Sequence, residues 1–227
     1  MTANWLLIET SGRAARLGLA RGGAVVGRAE LDTSRRHARD MTATICALLG
    51  AAGLKPADLT GVMASRGPGS YTGLRVGLTT AKALAYALGC ELRAVDAFAA
   101  VAEQAPAEAR HQWVIADALQ GQVYAQRFAR GPDGWRAATV LQILDAGAFA
   151  AAVTEGDWVN GPGVEAHAGT LPRNVPLVEE ADRTPQVASV FAVGLRLAPL
   201  SREELFGLEP LYLRGSSAEE KANGPRG

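Results

Sequence analysis

The chain has 227 residues, 48% of them hydrophobic, which is enough for a sizeable core in one large domain or two modest ones. Its 23 Lys and Arg balance 23 Asp and Glu, so the net charge is zero, which argues against a protein that grips nucleic acid through a basic stripe of its own. The two cysteines, Cys46 and Cys90, lie in apolar segments without CxxC spacing, which argues against zinc or a redox pair and fits a reducing cytoplasm. No run approaches the length of a membrane span, and the first ten residues, which include Glu9, do not read as a signal peptide.

Residues 5–8 read as a buried strand ending in the polar turn Glu9-Thr10-Ser11-Gly12. Two further strands, 16–20 and 24–31, join across Arg21-Gly22-Gly23, a hairpin signal. After a capping region at Asp32-Thr33-Ser34, the residues Ala38, Met41, Ile45, Leu48, Leu49 and Ala52 form an apolar helical stripe. A strand over 59–65, a glycine turn, a helix over 73–88, a strand over 91–95 and a helix over 97–105 complete an RNase H-like half, βββαβαβα. Residues 106–110 read as a linker. Strands at 112–116, 122–128 and 136–143, a helix near 146–153, a strand at 157–160 and a helix over 186–197 then follow. The expected architecture is α/β, two similar halves (1–108 and 109–214) each with a mixed sheet flanked by helices, then a disordered tail over 215–227.

The helix over 73–88 has almost no face suited to water, since Arg75 and Lys82 are its only charges. Gly73, Gly77, Ala81 and Ala85 recur every four residues and form one ridge, beside an ordinary core-facing stripe of Leu74, Leu78, Ala81 and Leu84. Glycine within a helix costs roughly 1 kcal/mol relative to alanine, so close packing has to offset it. The preceding helix carries Ala43, Ala47 and Gly50 opposite its apolar stripe, with no charge from residue 41 to 54. Two buried helices of one core, or an exposed seam for a partner, both satisfy this pattern. On the second reading Gly77→Leu or Ala81→Leu leaves a folded monomer that cannot associate.

Catalytic constellations are sparse. His37, His111 and His167 stand far apart and read as surface or cap residues, and no metal-ligand spacing occurs. The turn Gly67-Pro68-Gly69-Ser70 is neither a Walker A loop nor a nucleophile elbow, and Ser70 suits a helix N-cap. Glu9, Thr10 and Ser11 after the first strand, with Asp117 at the matching point of the second half, could flank a nucleotide or be plain turn residues. The Arg35-Arg36-His37-Ala38-Arg39 cluster reads as a solvated helix start.

The run Gly67-Pro68-Gly69-Ser70-Tyr71-Thr72-Gly73-Leu74-Arg75-Val76-Gly77 resembles the glycine signature of the bacterial TsaB (YeaZ) family. Leu6-Leu7-Ile8-Glu9-Thr10-Ser11, His37, Asp117-Ala118 with Val123-Tyr124, and Pro210-Leu211-Tyr212-Leu213-Arg214 are similar to further segments of that family. Leu119 departs from it, standing where the family has arginine, and Glu9 replaces the commoner aspartate. The resemblance implies an actin-like (ASKHA-type) fold and a non-catalytic partner of TsaD. It implies a role in placing threonylcarbamoyl on the adenosine after the tRNA anticodon, with the ATPase TsaE joining and tRNA met only through the complex. It implies no cofactor of its own, with ATP and magnesium at the interface of the complex. The partner surface it implies comprises His37, Met41, Ala43, Ala47, Gly50, Gly69, Ser70, Tyr71, Gly73, Gly77, Thr80, Ala81 and Leu84. Two other readings compete: an actin-like small-molecule kinase or ATPase using Glu9 and Asp117, and a homodimer built on the same helices.

Overall fold

The computed structural model describes residues 2–31, 37–211 and 213, with backbone alone at 37–39. The expected cap at 32–34, the arginines at 35 and 36, Tyr212, Arg214 and the tail over 215–227 lie outside the described residues. The first sheet contains β1 (Asn4–Glu9), β2 (Ala15–Arg21), β3 (Ala24–Leu31), β4 (Gly61–Gly67) and β5 (Glu91–Asp96), in the order β3-β2-β1-β4-β5. β1 pairs antiparallel with β2 and parallel with β4, so it is central and covered on both faces. Its continuous apolar run follows from that position. The two-residue period sends Leu6 and Ile8 to one core and Trp5 and Leu7 to the other.

The first core lies under α1 (His37–Ala51) and α2 (Tyr71–Leu88), through Met41, Ile45, Leu49, Leu78, Ala81 and Ala85. After α3 (Ala97–Ala102) the second sheet follows: β6 (His111–Asp117), β7 (Gln122–Gly131), β8 (Gly134–Ala137), β9 (Gln142–Asp145) and, beyond α4 (Ala146–Ala152), β10 (Asp157–Asn160). β6 is antiparallel to β7 and parallel to β10, repeating the relation of β1 to β2 and β4. Two mixed sheets flanked by helices form the actin-like arrangement expected. The single strand expected over 136–143 is two strands, β8 pairing with the far end of β7 and β9 with its start.

Three helices end the described chain: α5 (Val164–His167), α6 (Val187–Gly194) and α7 (Arg202–Gly207). Although α6 follows the second sheet in sequence, it packs on the first, where Val187, Val190, Phe191 and Val193 join Trp5, Leu7 and Met63. Gly194 sits against the Met63 side chain, where a Cβ would overlap the sulfur. α3 serves both cores, Ala100 facing the first sheet and Phe98 and Val101 meeting Val114 and Phe128 of the second. Gln104 fixes the entry to α6: its Nε2 donates to the carbonyls of Asp182 (2.6 Å) and Thr184 (2.9 Å), and its Oε1 accepts from the Gln186 N–H (2.8 Å) and Ser189 Oγ (2.7 Å). α7 meets α2 at Lys82 and Tyr86, and its start carries a reciprocal cap between Ser201 and Glu204.

Candidate functional site: the glycine turn and the outer face of two helices

Ser70 caps α2, its Oγ accepting the Gly73 N–H at 3.2 Å, while its own N–H donates to the Ser11 carbonyl at 2.7 Å. The β1–β2 turn is thereby pressed onto the start of α2. A Cβ at Gly69 would overlap the Ser11 carbonyl, one at Gly73 the Thr10 carbonyl, and one at Gly77 the Thr10 hydroxyl. The glycines are there to admit this turn, so the ridge faces inward rather than toward a partner. Gly77, Ala81 and Ala85 are buried against the chain's own sheet, and Met41 is buried with them. These positions are inside the monomer, and the expectation that Gly77→Leu or Ala81→Leu leaves it folded is corrected: leucine has no room at either.

The other side of both helices is open. On α1 it presents Thr42, Ala43, Cys46, Ala47 and Gly50, and on α2 Thr72, Thr79 and Ala83. Tyr71, Thr80 and Leu84 are half-buried at its margins, and Gly69 and Ser70 are exposed at its end. Of the expected partner surface, the structure therefore unites Ala43, Ala47, Gly50, Gly69, Ser70, Tyr71, Thr80 and Leu84. It places Gly73 half-buried beneath the turn, and the His37 side chain lies outside what is described. The Arg75 guanidinium stands over the Tyr71 ring, 4.2 Å from its centroid, which leaves the middle of the face uncharged. Thr79 and Ala83 are positions the ridge argument missed. The signal for them is the core stripe Leu74, Leu78, Ala81 and Ala85, which Ala83 opposes on the helical wheel and from which Thr79 is turned well away.

Glu9, Thr10 and Ser11 do not form a phosphate cradle. Glu9 is 1% exposed; its Oε1 accepts the Ser11 N–H at 2.6 Å and Ser11 Oγ at 2.5 Å, and its Oε2 has no partner. Burial pushes the Glu9 carboxyl above its ordinary 4.5, against the opposing hydrogen bonds from Ser11 and Ser65 and the charge of Arg16. A carboxyl sealed beneath its own turn is not presented to Mg-ATP. At the start of α2 the Gly73 N–H is already met by Ser70 Oγ, and the N–H of the Ser70 cap by the Ser11 carbonyl.

Asp117 is engaged as well, Oδ1 accepting the Leu119 N–H at 2.9 Å and lying 3.2 Å from His167 Nε2. His167, expected as a surface or cap residue, is 8% exposed and packed at the end of α5; His111 is exposed at the start of β6. Gly161 and Gly163 press on the backbone of Ile115 and Ala116, closing the matching glycine turn of the second half. Glu9 and Asp117 are thus each held by hydrogen bonds within their own half. Among the described residues no three His, Cys, Asp or Glu cluster as metal ligands, and no helix is long and apolar enough to cross a membrane.

The domain model of tRNA N6-adenosine threonylcarbamoyltransferase, TsaD, matches residues 30–152. An uncharacterised protein of Mycobacterium tuberculosis is 32% identical over 219 residues, spanning 96% of this chain and 94% of its own length. The Escherichia coli tRNA threonylcarbamoyladenosine biosynthesis protein TsaB is 28% identical over 233 residues, spanning 96% and 98%. The structure of YeaZ from Pseudomonas aeruginosa superposes with a TM-score of 0.79 at 22% identity, covering 93% of this chain and all of that one, and shares the fold. The chain belongs to the TsaD domain family, as one of its TsaB/YeaZ members.

Proposed function

We propose that this chain is a non-catalytic subunit in tRNA threonylcarbamoyladenosine biosynthesis in the cytoplasm, docking a TsaD-type transferase through the outer face of α1 and α2. The observation that carries the reading is that face: two long neighbouring helices whose exposed side chains, apart from Asp40, Arg75 and Tyr86, are Ala, Gly, Thr and Cys where solvated helices carry Lys and Glu. Small side chains let a partner's helices approach closely. The TsaD model matches the stretch of chain that contains both helices, so the transferase has a related helix pair to offer in return. On this reading the transferase holds the reacting groups. TsaE and tRNA join the pair rather than this chain alone, and ATP and magnesium are taken within the assembled complex.

The test is co-purification with a TsaD-type transferase, sized by light scattering, for wild type and Ala47→Arg. Ala47 is exposed, so arginine there folds in the free chain but carries an unpaired charge into the interface. The expected result is a heterodimer with wild type and none with the variant. Cys46, exposed in the same face, should react with a maleimide in the free chain and be protected in the complex. A variant that binds as wild type does, or a Cys46 that stays reactive in the complex, refutes the docking face.

A further inference from the structure

The open face does not end with α2. One turn beyond Ala83 stands Tyr86, 57% exposed, and against it Phe206 of α7, 58% exposed. Their rings meet edge to face, centroids 5.6 Å apart at 61°, and the Arg202 guanidinium lies 5.5 Å from the centre of the Tyr86 ring. Two large aromatic rings left more than half in water, beside an arginine, form an apolar patch where the rest of the helix surface is small.

The placement of this patch is fixed by the fold. Lys82 points away from the small-residue face and donates to the carbonyls of Phe206 (2.9 Å) and Leu208 (3.1 Å), capping the end of α7. Before α7 the Leu200 N–H donates to the carbonyl of Leu92 in β5 at 2.8 Å, and Leu205 enters the core shared with α1 and α2. α1 lies over β2 and β3, so α7 flanks α2 on the opposite side, toward β5. The outer layer is therefore α1, α2, α7, and the aromatic pair straddles the last groove.

Area indicates what covers it. Helices of 15 and 18 residues are about 22 and 27 Å long. At an interaxial distance of about 10 Å, two of them offer a face of roughly 500 Å². A stable complex buries about 800 Å² per partner. Alanine and threonine also supply little binding energy, whereas Tyr and Arg dominate measured hot spots. A docking subunit needs both more area and an anchor, and the continuation over α7 supplies the two together.

We propose that Tyr86, Phe206 and Arg202 are the anchor by which this chain holds its transferase partner, the small-residue face supplying shape complementarity beside them. The inference rests on the docking reading given under Proposed function. Affinity for the purified transferase is measured by calorimetry for wild type, for Tyr86→Ser with Phe206→Ser, for Arg202→Glu and for Ala47→Arg, with melting temperature recorded for each. All the altered side chains are exposed; Phe206 binds Lys82 through its carbonyl, and glutamate suits the first turn of α7. The expected result is an aromatic double variant at least ~10-fold weaker, a smaller loss for Arg202→Glu, and melting temperatures close to wild type. If Ala47→Arg loses binding while the aromatic and Arg202 variants bind as wild type does, the anchor is refuted and the docking face stands. If wild type itself does not bind, both fall. If the aromatic variant loses only self-association of this chain, a second copy takes the patch and the proposal is overturned.

Discussion

Gly77→Ala isolates the contact that gives α2 its place. A Cβ at Gly77 would overlap Thr10 Oγ1 and stand 3.0 Å from Cγ2 and 3.1 Å from Cβ of the same residue. The obstacle is a β-branched side chain on a strand end, not the loose tip of a long one, so relief requires α2 or the turn to move. Overpacking of this kind costs typically 1–3 kcal/mol, and three close atoms put the site near the upper figure. Alanine regains about 1 kcal/mol of helix propensity, which leaves a net loss of about 2 kcal/mol. Thr10→Ala alone removes a buried hydroxyl that has no partner together with a methyl, two effects of opposite sign and similar size, so its own cost is within about 1 kcal/mol. The double variant keeps only the Cβ contact and should recover most of the loss, a coupling of about 1–2 kcal/mol between the two sites. Urea unfolding of the four proteins measures it. A Gly77→Ala variant as stable as wild type or more so, with no coupling to Thr10, would mean that α2 does not lean on the β1–β2 turn.

Two further substitutions test buried charge. Glu9 is held above its ordinary 4.5 by burial, so its contribution to stability is fully present below that value and is lost as pH rises through the folded pKa. Glu9→Gln keeps an acceptor for Ser11 and removes the titration, so its advantage over wild type should grow above pH 4.5; parallel stability–pH curves would refute the buried acid. Asp157 is the converse. Burial would raise its pKa, but the Thr154 N–H and hydroxyl and the Arg127 guanidinium (2.7 and 2.9 Å) outweigh burial and hold it below 3.8. Arg127→Met leaves Thr154 in place and removes an arginine that is itself 30% exposed, so the loss at neutral pH should be about 2 kcal/mol rather than the full cost of a bared buried charge. The gap between variant and wild type should narrow as pH falls through the folded pKa of Asp157, because wild type then loses the same interaction. A constant gap in thermal unfolding at pH 7 and pH 3 would contradict the assignment.

The elements that could be read from sequence are those whose local signal and tertiary role agree. Residues 5–8 are apolar without alternation because β1 is covered on both faces, and 157–160 coincide with β10. The strand expected over 136–143 failed because β7 is long enough to pair with two short strands, a tertiary fact with no local trace. α7 was legible and missed: Ser201-Arg202-Glu203-Glu204 is a capping-box sequence, and the side chains are reciprocally bonded as that sequence dictates. The return of α6 to the first sheet could not be read, because an apolar helix over 186–197 suits either sheet equally well. For the site, Glu9 and Asp117 could be found as matched carboxylates, but that one is sealed and the other engaged by His167 depends on turns of several residues.

The small residues of α2 pose the deeper difficulty, because the helix uses them twice for different reasons. Toward the core, Gly73 and Gly77 are small because the backbone and side chain of Thr10 occupy the space. Toward solvent, Thr79 and Ala83 are small with nothing against them in this chain. A four-residue ridge of glycine and alanine is a packing signal in both cases, and composition alone does not say on which side the neighbour lies. Glycine and alanine nonetheless divide by role. Glycine costs about 1 kcal/mol in a helix, so it is retained where even a methyl collides, which marks the inner face. Alanine costs nothing and appears where closeness is useful but a methyl fits, on the outer face at Ala43, Ala47 and Ala83 and on the inner one at Ala81 and Ala85. Gly50 is the penultimate residue of α1 with nothing within reach of an added Cβ, so no collision inside this chain requires a glycine there. On the docking proposed above, a partner's atoms would supply the neighbour at Gly50. Gly50→Ala should leave the free chain unchanged or slightly more stable, by up to about 1 kcal/mol, and weaken the complex. Equal affinity of wild type and the Gly50→Ala variant for the transferase would confine the interface to the α2 side of the face.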